Sequence, residues 1–442
     1  DAPAIVDERG TLTFREVHER TNQLAHALRA QGVGEGDGIA ILTRNHRWFV
    51  DISVAAGKLG ANALYLNTMF AAPQITDVCR REQPVALVHD EEFAGFVAEA
   101  AEGLPRFVAW QDAPDPHGAP SLDELRHGFP ASDLDPPESP GKVVILTSGT
   151  TGTPKGAQRK QPQSLVPAAA LLSAIPLHAR ESTHIAAPLF HSWGMAHFVI
   201  AMTLGSTIVL RRRFDPEDAV AAVAHHRCTA LVVVPVMLQR IMELGDEVLD
   251  RYDASSLKVI ALSGSALPGE LAVEAMDRFG DVVYNLYGST EVAWATIAGP
   301  KDLRAAPGTA GRPPYGTVVR LFDEGGELID EPGVTGRIFV GNEMAFDGYT
   351  GGGGKEVLEG LMSTGDVGHL DEDGRLYIDG RDDEMIVSGG ENVFPREVED
   401  LLHDREDIVE VAVVGVPDEG WGERLRAYVV PAAGGAAGED EL

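Results

Sequence analysis

The chain has 442 residues, 44% of them hydrophobic and 24% charged. At about 150 residues per domain that is roughly three domain equivalents with enough apolar side chains for real cores, which excludes a peptide hormone, a disulfide miniprotein or a disordered activation segment. Thirty-six basic against 68 acidic side chains leave a formal charge of -32, which works against coating DNA or binding an anionic membrane, whereas a nucleotide needs only a few local donors. Cys79 and Cys228 are far apart and outside any CxxC pattern, so reduced, cytoplasmic chemistry without a disulfide framework or cysteine zinc site is expected. The chain opens at Asp1 without Met or a basic leader, and the expectation is a trimmed start.

Ala4 to Val6 and Thr11 to Phe14 predict a small strand unit, followed by a helix carrying Phe14, Val17, Leu24 and Leu28 and ending near Gly32. Asp37 to Leu42, Ala63 to Leu66 and Val85 to Val88 predict short strands, with a helix over Phe49 to Leu59. Residues 111–140, rich in Pro, Asp and Gly, predict a surface connection with one short helix. Strands resume at Val143 to Thr147, Thr183 to Ala187, Thr207 to Leu210, Ala230 to Val234 and Lys258 to Ala261. Apolar strands alternating with helices indicate parallel sheet layers. The apolar stretch from Trp193 to Leu210 contains His197 and breaks at Leu204-Gly205-Ser206, so it predicts a buried helix feeding a buried strand rather than a membrane span.

From Gly316 the texture changes to short strands at Val318 to Phe322, Gly336 to Val340 and Arg375 to Ile378, a small β-rich subdomain over about 316–380. A boundary at Gly380-Arg381-Asp382-Asp383 separates a large domain, 1–380, from a C-terminal unit, 381–442. The fold class expected is α/β: a large multi-subdomain N-terminal domain with parallel-rich sheets, then a small mobile α+β C-terminal domain. At about 60 residues that last unit is small for an independent core, and truncation is expected.

The sharpest chemistry lies in Val143 to Gly156, where a hydrophobic strand runs into a loop with three glycines, four threonines, a serine and Lys155, one of only seven lysines. Small residues expose backbone N–H groups to anionic oxygens, hydroxyls add donors, and the lysine supplies a mobile charge, together a polyphosphate grip. The Walker A spacing cannot be placed on it. In Tyr287-Gly288-Ser289-Thr290-Glu291, an aromatic suits base stacking or core packing, Thr290 can bond a phosphate or carboxylate, and Glu291 can coordinate Mg2+. Asp366 suits two ribose hydroxyls, although an isolated Asp beside Gly is commonly a turn cap, and Arg381 supplies fixed donors. His191, between Phe190 and Ser192 at a helix start, suits either a satisfied half-buried role or contact with a reacting carboxylate.

Thr147 to Gly156 resembles the signature of the adenylate-forming (AMP-binding) enzymes, which include acyl- and aryl-CoA synthetases, the adenylation domains of peptide synthetases, and luciferases. The resemblance continues, in order, through Tyr287 to Glu291, Ser363-Thr364-Gly365-Asp366 and Gly380-Arg381, covering the chain from about residue 4 to its end. It is greatest to fatty acyl-CoA synthetases. It implies ATP, Mg2+ and CoA as co-substrate, with phosphate contacts from Thr147, Ser148, Gly149, Thr150, Thr151, Gly152, Thr153 and Lys155. Gly264, Ser265 and Ala266 then form the adenine-side loop, Tyr287 stacks on adenine beside Gly288 and Ser289, and Thr290 contacts the α-phosphate and the reacting carboxylate. Glu291 holds the metal, Asp366 the ribose, and Arg381 assists. His191 orients the carboxylate, with Trp193 and Met195 as acyl-tunnel walls. Asp383 is the hinge, and Ser388, Gly389 and Gly390 line a thiol channel after domain rotation.

The family's late catalytic Lys has no counterpart, since no Lys follows Lys355. Either the natural chain continues past Leu442 or adenylation is impaired. The expected reaction is ATP-dependent activation of a hydrophobic acid, a fatty acid above all, and transfer to CoA. A carrier protein as acceptor, an amino acid as substrate, and a non-catalytic nucleotide-binding relative are the alternatives. The short spacing from Glu291 to Asp366 and the apolar Val292-Ala293-Trp294-Ala295 favour the first reading. A homodimer and transient membrane association for a lipid substrate stay open; no nucleic acid or transmembrane segment is expected.

Overall fold

The computed structural model describes residues 1–112, 118–147, 155–159, 164, 166–344, 346–349, 354–382, 386–388, 391–393, 395, 398, 399, 402, 405, 407–418 and 422–431. All four residues of Ala86–His89, Ala230–Val233 and Val259–Leu262 are buried, as inner parallel strands covered on both faces must be. They belong to two large sheets. The first runs in spatial order Thr296–Ala298, Val283–Tyr287, Val259–Leu262, Ala230–Val233, Ser182–Ile185, Thr207–Val209, Pro3–Asp7, Gly10–Thr13. It is parallel inside and antiparallel at both edges.

The second sheet runs Phe346–Tyr349, Lys155–Arg159, Val143–Thr147, Asn62–Tyr65, Gly38–Leu42, Ala86–His89, Arg106–Val108. Its last five strands are parallel, and the first two are added antiparallel. One hydrophobic cluster joins both sheets through Ile5, Ile41, Phe49, Ile185, Phe198 and Val232. The helix Phe14–Ala30 begins on Phe14, the last residue of the predicted strand, because Thr13 caps it: the Thr13 hydroxyl accepts from Glu16 N at 3.2 Å and the Glu16 carboxylate accepts from Thr13 N at 2.7 Å.

The apolar stretch after His191 divides as expected into the helix Ser192–Thr203 and the strand Thr207–Val209, with Gly205 at φ +62 between them. Among the described residues no helix is long and apolar enough to cross a membrane. A third, antiparallel sheet joins Leu328–Ile329, Val318–Phe322, Gly336–Gly341, Leu361–Leu370 and Val357–Leu358, with Leu376–Arg381 pairing Leu361–Leu370. Asp366 and Arg381 thus sit on paired strands. A fourth sheet, Glu391–Val393, Ile386–Ser388, Gly422–Pro431, Ile408–Asp418, forms the smaller C-terminal unit.

Candidate active site

The carboxyl ends of two parallel strands of the first sheet, Val259–Leu262 and Val283–Tyr287, open into one cleft, the place where α/β sheets present their loops to ligands. After Val259–Leu262 come Ser263 and Gly264, the latter at φ +99, a conformation that suits glycine. After Val283–Tyr287 the chain turns back into Thr296–Ala298. Gly288 permits that turn: a Cβ there would lie 2.2 Å from the carbonyl oxygen of Ala293. Ser289 Oγ accepts from Glu291 N at 3.2 Å and Val292 N at 3.3 Å. Val292, Trp294 and Ala295 are buried, while Ser289, Thr290 and Glu291 are half-buried at the tip.

Strand register brings Asp366 opposite Arg381. Arg381 Nη1 donates to Asp366 Oδ1 at 3.4 Å, and the Tyr287 hydroxyl donates to Asp366 Oδ2 at 2.5 Å. Burial raises the Asp366 pKa, outweighing the stabilising hydrogen bond from Tyr287 and the charge of Arg381. Burial and the adjacent Asp366 carboxyl push the Tyr287 phenol far up, so it stays a proton donor.

Gly264 to Leu267, Asn285 to Ser289, Asp366, Gly380 and Arg381 line one cavity of about 800 Å3, whose remaining walls include Ile386, Pro395, Glu399 and Val413 to Gly415 from the C-terminal unit. Asn285 was not a sequence-based candidate. It is buried on the cavity wall, and its Oδ1 has no hydrogen-bond partner among the described residues. A buried acceptor left open is costly unless a ligand completes it. Its signal in the sequence is only an Asn two places before Tyr287.

Tyr349 was also missed. Its hydroxyl donates to Glu291 Oε1 at 2.5 Å, and its strand pairs with Lys155–Arg159, Tyr349 opposite Ala157. Nothing in the Gly-rich segment around it shows a period, so an aromatic three places after Phe346 was its only signal.

Thr147 and Lys155, on either side of the loop read as a polyphosphate grip, are register partners on adjacent antiparallel strands. Ser148, Gly149, Thr150, Thr151, Gly152 and Thr153 lie outside the described residues, as do Asp383, Gly389 and Gly390. Ser388 ends a strand of the fourth sheet and pairs with Glu391 and Gly422. His191 precedes the helix Ser192–Thr203, its ring 4.6 Å from that of Phe190, and burial lowers its pKa. Trp193 and Met195 pack into the main core, with Trp193 Nε1 donating to Val233 O at 3.1 Å. Among the described residues no group of three or more His, Cys, Asp or Glu side chains could hold a metal. The single carboxylate of Glu291, half-buried at the hairpin tip, fits Mg2+, which keeps waters and phosphates in its shell and needs only one or two carboxylates from protein.

The AMP-binding enzyme family model matches residues 1–350, and the model of that family's C-terminal domain matches 397–442. The chain is 34% identical to a feruloyl-CoA synthase from an Amycolatopsis species, an alignment covering 98% of this chain and 86% of that protein. It is also 34% identical to the indoleacetate–CoA ligase of Aromatoleum aromaticum, covering 96% and 84%. Among solved structures, o-succinylbenzoate CoA synthetase from Bacillus subtilis, in complex with its acyl-adenylate intermediate, superposes with a TM-score of 0.85 at 26% identity, covering 98% of this chain and 86% of that one. With the cleft, the Asp366–Arg381 pair and the Tyr287 to Glu291 hairpin in the family's order, the chain belongs to the AMP-binding enzyme family and is an AMP-forming acid–thiol ligase.

Proposed function

We propose that the protein uses ATP to activate a hydrophobic carboxylic acid and transfers the acyl group to CoA. The observation that carries this reading is the convergence of Asn285, Tyr287, Asp366 and Arg381 on a single cavity of about 800 Å3 that the C-terminal unit helps to wall. In the first step a carboxylate oxygen attacks the α-phosphorus, the bond to the β-phosphate breaks, and pyrophosphate leaves. In the second, the CoA sulfur attacks the acyl carbonyl, AMP leaves, and the thiol proton is lost.

No protein nucleophile is needed; positioning and charge neutralisation carry both steps. Asn285 Oδ1 offers an acceptor to the adenine amine, and the Tyr287 ring a stacking face. Asp366, with acceptor capacity beyond its bonds to Tyr287 and Arg381, takes ribose hydroxyls. Thr290 contacts the α-phosphate and the acid, His191 orients the acid, and the Thr147 to Lys155 hairpin holds the leaving phosphates. Glu291 is the residue that would hold Mg2+, which when bound neutralises phosphate charge. Rotation about Asp383 then brings Ser388, Gly389 and Gly390 to the thiol path.

The narrower reading for the acid is a fatty acid, supported by the apolar Val292 to Ala295 run. The two relatives at 34% identity, named for ferulate and indoleacetate, favour an aromatic acid as the second reading. Acid-dependent pyrophosphate release from Mg-ATP, measured across acetate, aromatic acids, amino acids and medium to long fatty acids, decides between them. Release with aromatic acids alone replaces the fatty-acid reading, and no release with any acid overturns the ligase assignment for those substrates.

A further inference from the structure

We propose that Tyr349 is a positioning residue for Glu291: its phenol fixes one carboxylate oxygen so that the other is left for the cation. The proposal rests on the reading of Glu291 as the metal carboxylate. The hydroxyl donates to Glu291 Oε1 at 2.5 Å. The backbone of Glu291 is already held by the Ser289 hydroxyl, so the remaining freedom lies in the glutamate side chain, and a donor on one oxygen removes much of it.

Tyr349 is itself well anchored. Its ring meets Phe346 edge-on with centroids 4.9 Å apart, and its backbone is paired to the strand that leaves the phosphate hairpin. A shift of that strand therefore moves the Tyr349 hydroxyl with it, coupling the phosphate side of the cleft to the metal carboxylate on the other sheet. Groups that orient a metal-binding carboxylate are worth roughly 10- to 100-fold in metal affinity.

The test is the ratio of ATP affinities with and without Mg2+, measured by titration calorimetry on wild type, Tyr349→Phe and Glu291→Gln. Phenylalanine keeps the ring packing and removes only the donor. The expected result is that Glu291→Gln abolishes most of the Mg2+ enhancement, and Tyr349→Phe lowers it about tenfold while metal-free ATP binding is unchanged. A wild-type ratio in Tyr349→Phe alongside a lost ratio in Glu291→Gln overturns the positioning role and leaves the metal reading intact. An unchanged ratio in Glu291→Gln overturns the metal reading itself. Should Tyr349→Phe also lower the thermal midpoint, excess Mg2+ separates the cases: recovery of pyrophosphate release supports positioning, and a deficit indifferent to Mg2+ shows a merely structural tyrosine.

Discussion

Asp366 is held by a phenol and a guanidinium in a mostly buried position, and its raised pKa shows that the folded chain disfavours its charge. Such a carboxylate is kept at some cost in stability, which a ligand-binding role would explain. Asp366→Asn is therefore expected to leave the thermal midpoint unchanged or higher while weakening AMP binding about tenfold or more, the range for losing a hydrogen bond to a charged group. Titration with AMP checks it, and an unaltered affinity would remove Asp366 from the ribose role. Asp366, Arg381 and Tyr287 to Glu291 were legible because each sits in a compact, ordered motif. Asn285 and Tyr349 were not: each acts through a neighbour that only tertiary structure supplies, Asn285 through the cavity and Tyr349 through Glu291, 58 positions away.

Among the elements, the hairpin that presents Ser289 to Glu291 depends on Gly288 more than on any side chain. A Cβ at Gly288 would meet backbone atoms, Ala293 O at 2.2 Å and Trp294 Cα at 2.7 Å, and neither can swing aside as a side-chain end could. Ala293 already has φ +65, strained for a residue with a Cβ. Gly288→Ala is expected to cost about 1–3 kcal/mol in urea denaturation and to reduce adenylation further than that loss of folded protein explains. Wild-type stability would show that the turn relaxes freely. The inner strands of both large sheets were readable because their Val, Ile and Leu runs are buried on two faces. The strands Lys155–Arg159 and Leu361–Leu370 were hidden, since glycine and charge dilute their pattern and pairing, not propensity, makes them strands.

For the whole molecule, acid sensitivity should begin above the carboxylate range. Burial depresses His184 to about 4 and His197 to about 3, while in the unfolded chain both titrate near the usual value of about 6.5. A depressed histidine binds its proton in the unfolded state first, so its contribution is complete above about pH 6.5 and is lost as pH falls toward 4 and then 3. Each can contribute a slope of up to about 1.4 kcal/mol per pH unit. Glu92 follows at lower pH: burial opposes its ionisation, but Arg44 and Arg212 hold it down at about 2, so its contribution fades as pH drops below the ordinary glutamate range. Urea midpoints should fall between pH 7 and 5, and a flat profile there would mean that the two rings are not held neutral in the fold. The seam between Phe346–Tyr349 and Lys155–Arg159 also sets a timetable for synthesis. Phe346 pairs with a residue 187 positions earlier, so at about 5–20 residues per second the emerging chain carries an unfinished sheet edge for roughly 10–40 s. An unpaired edge is a template for aggregation, yet Lys155-Gly156-Ala157-Gln158-Arg159 is short, cationic at both ends and poor in β-branched residues. The composition that hides this strand from a reader of the sequence also makes it a poor partner for a passing chain, until Phe346 arrives from the ribosome to close the seam.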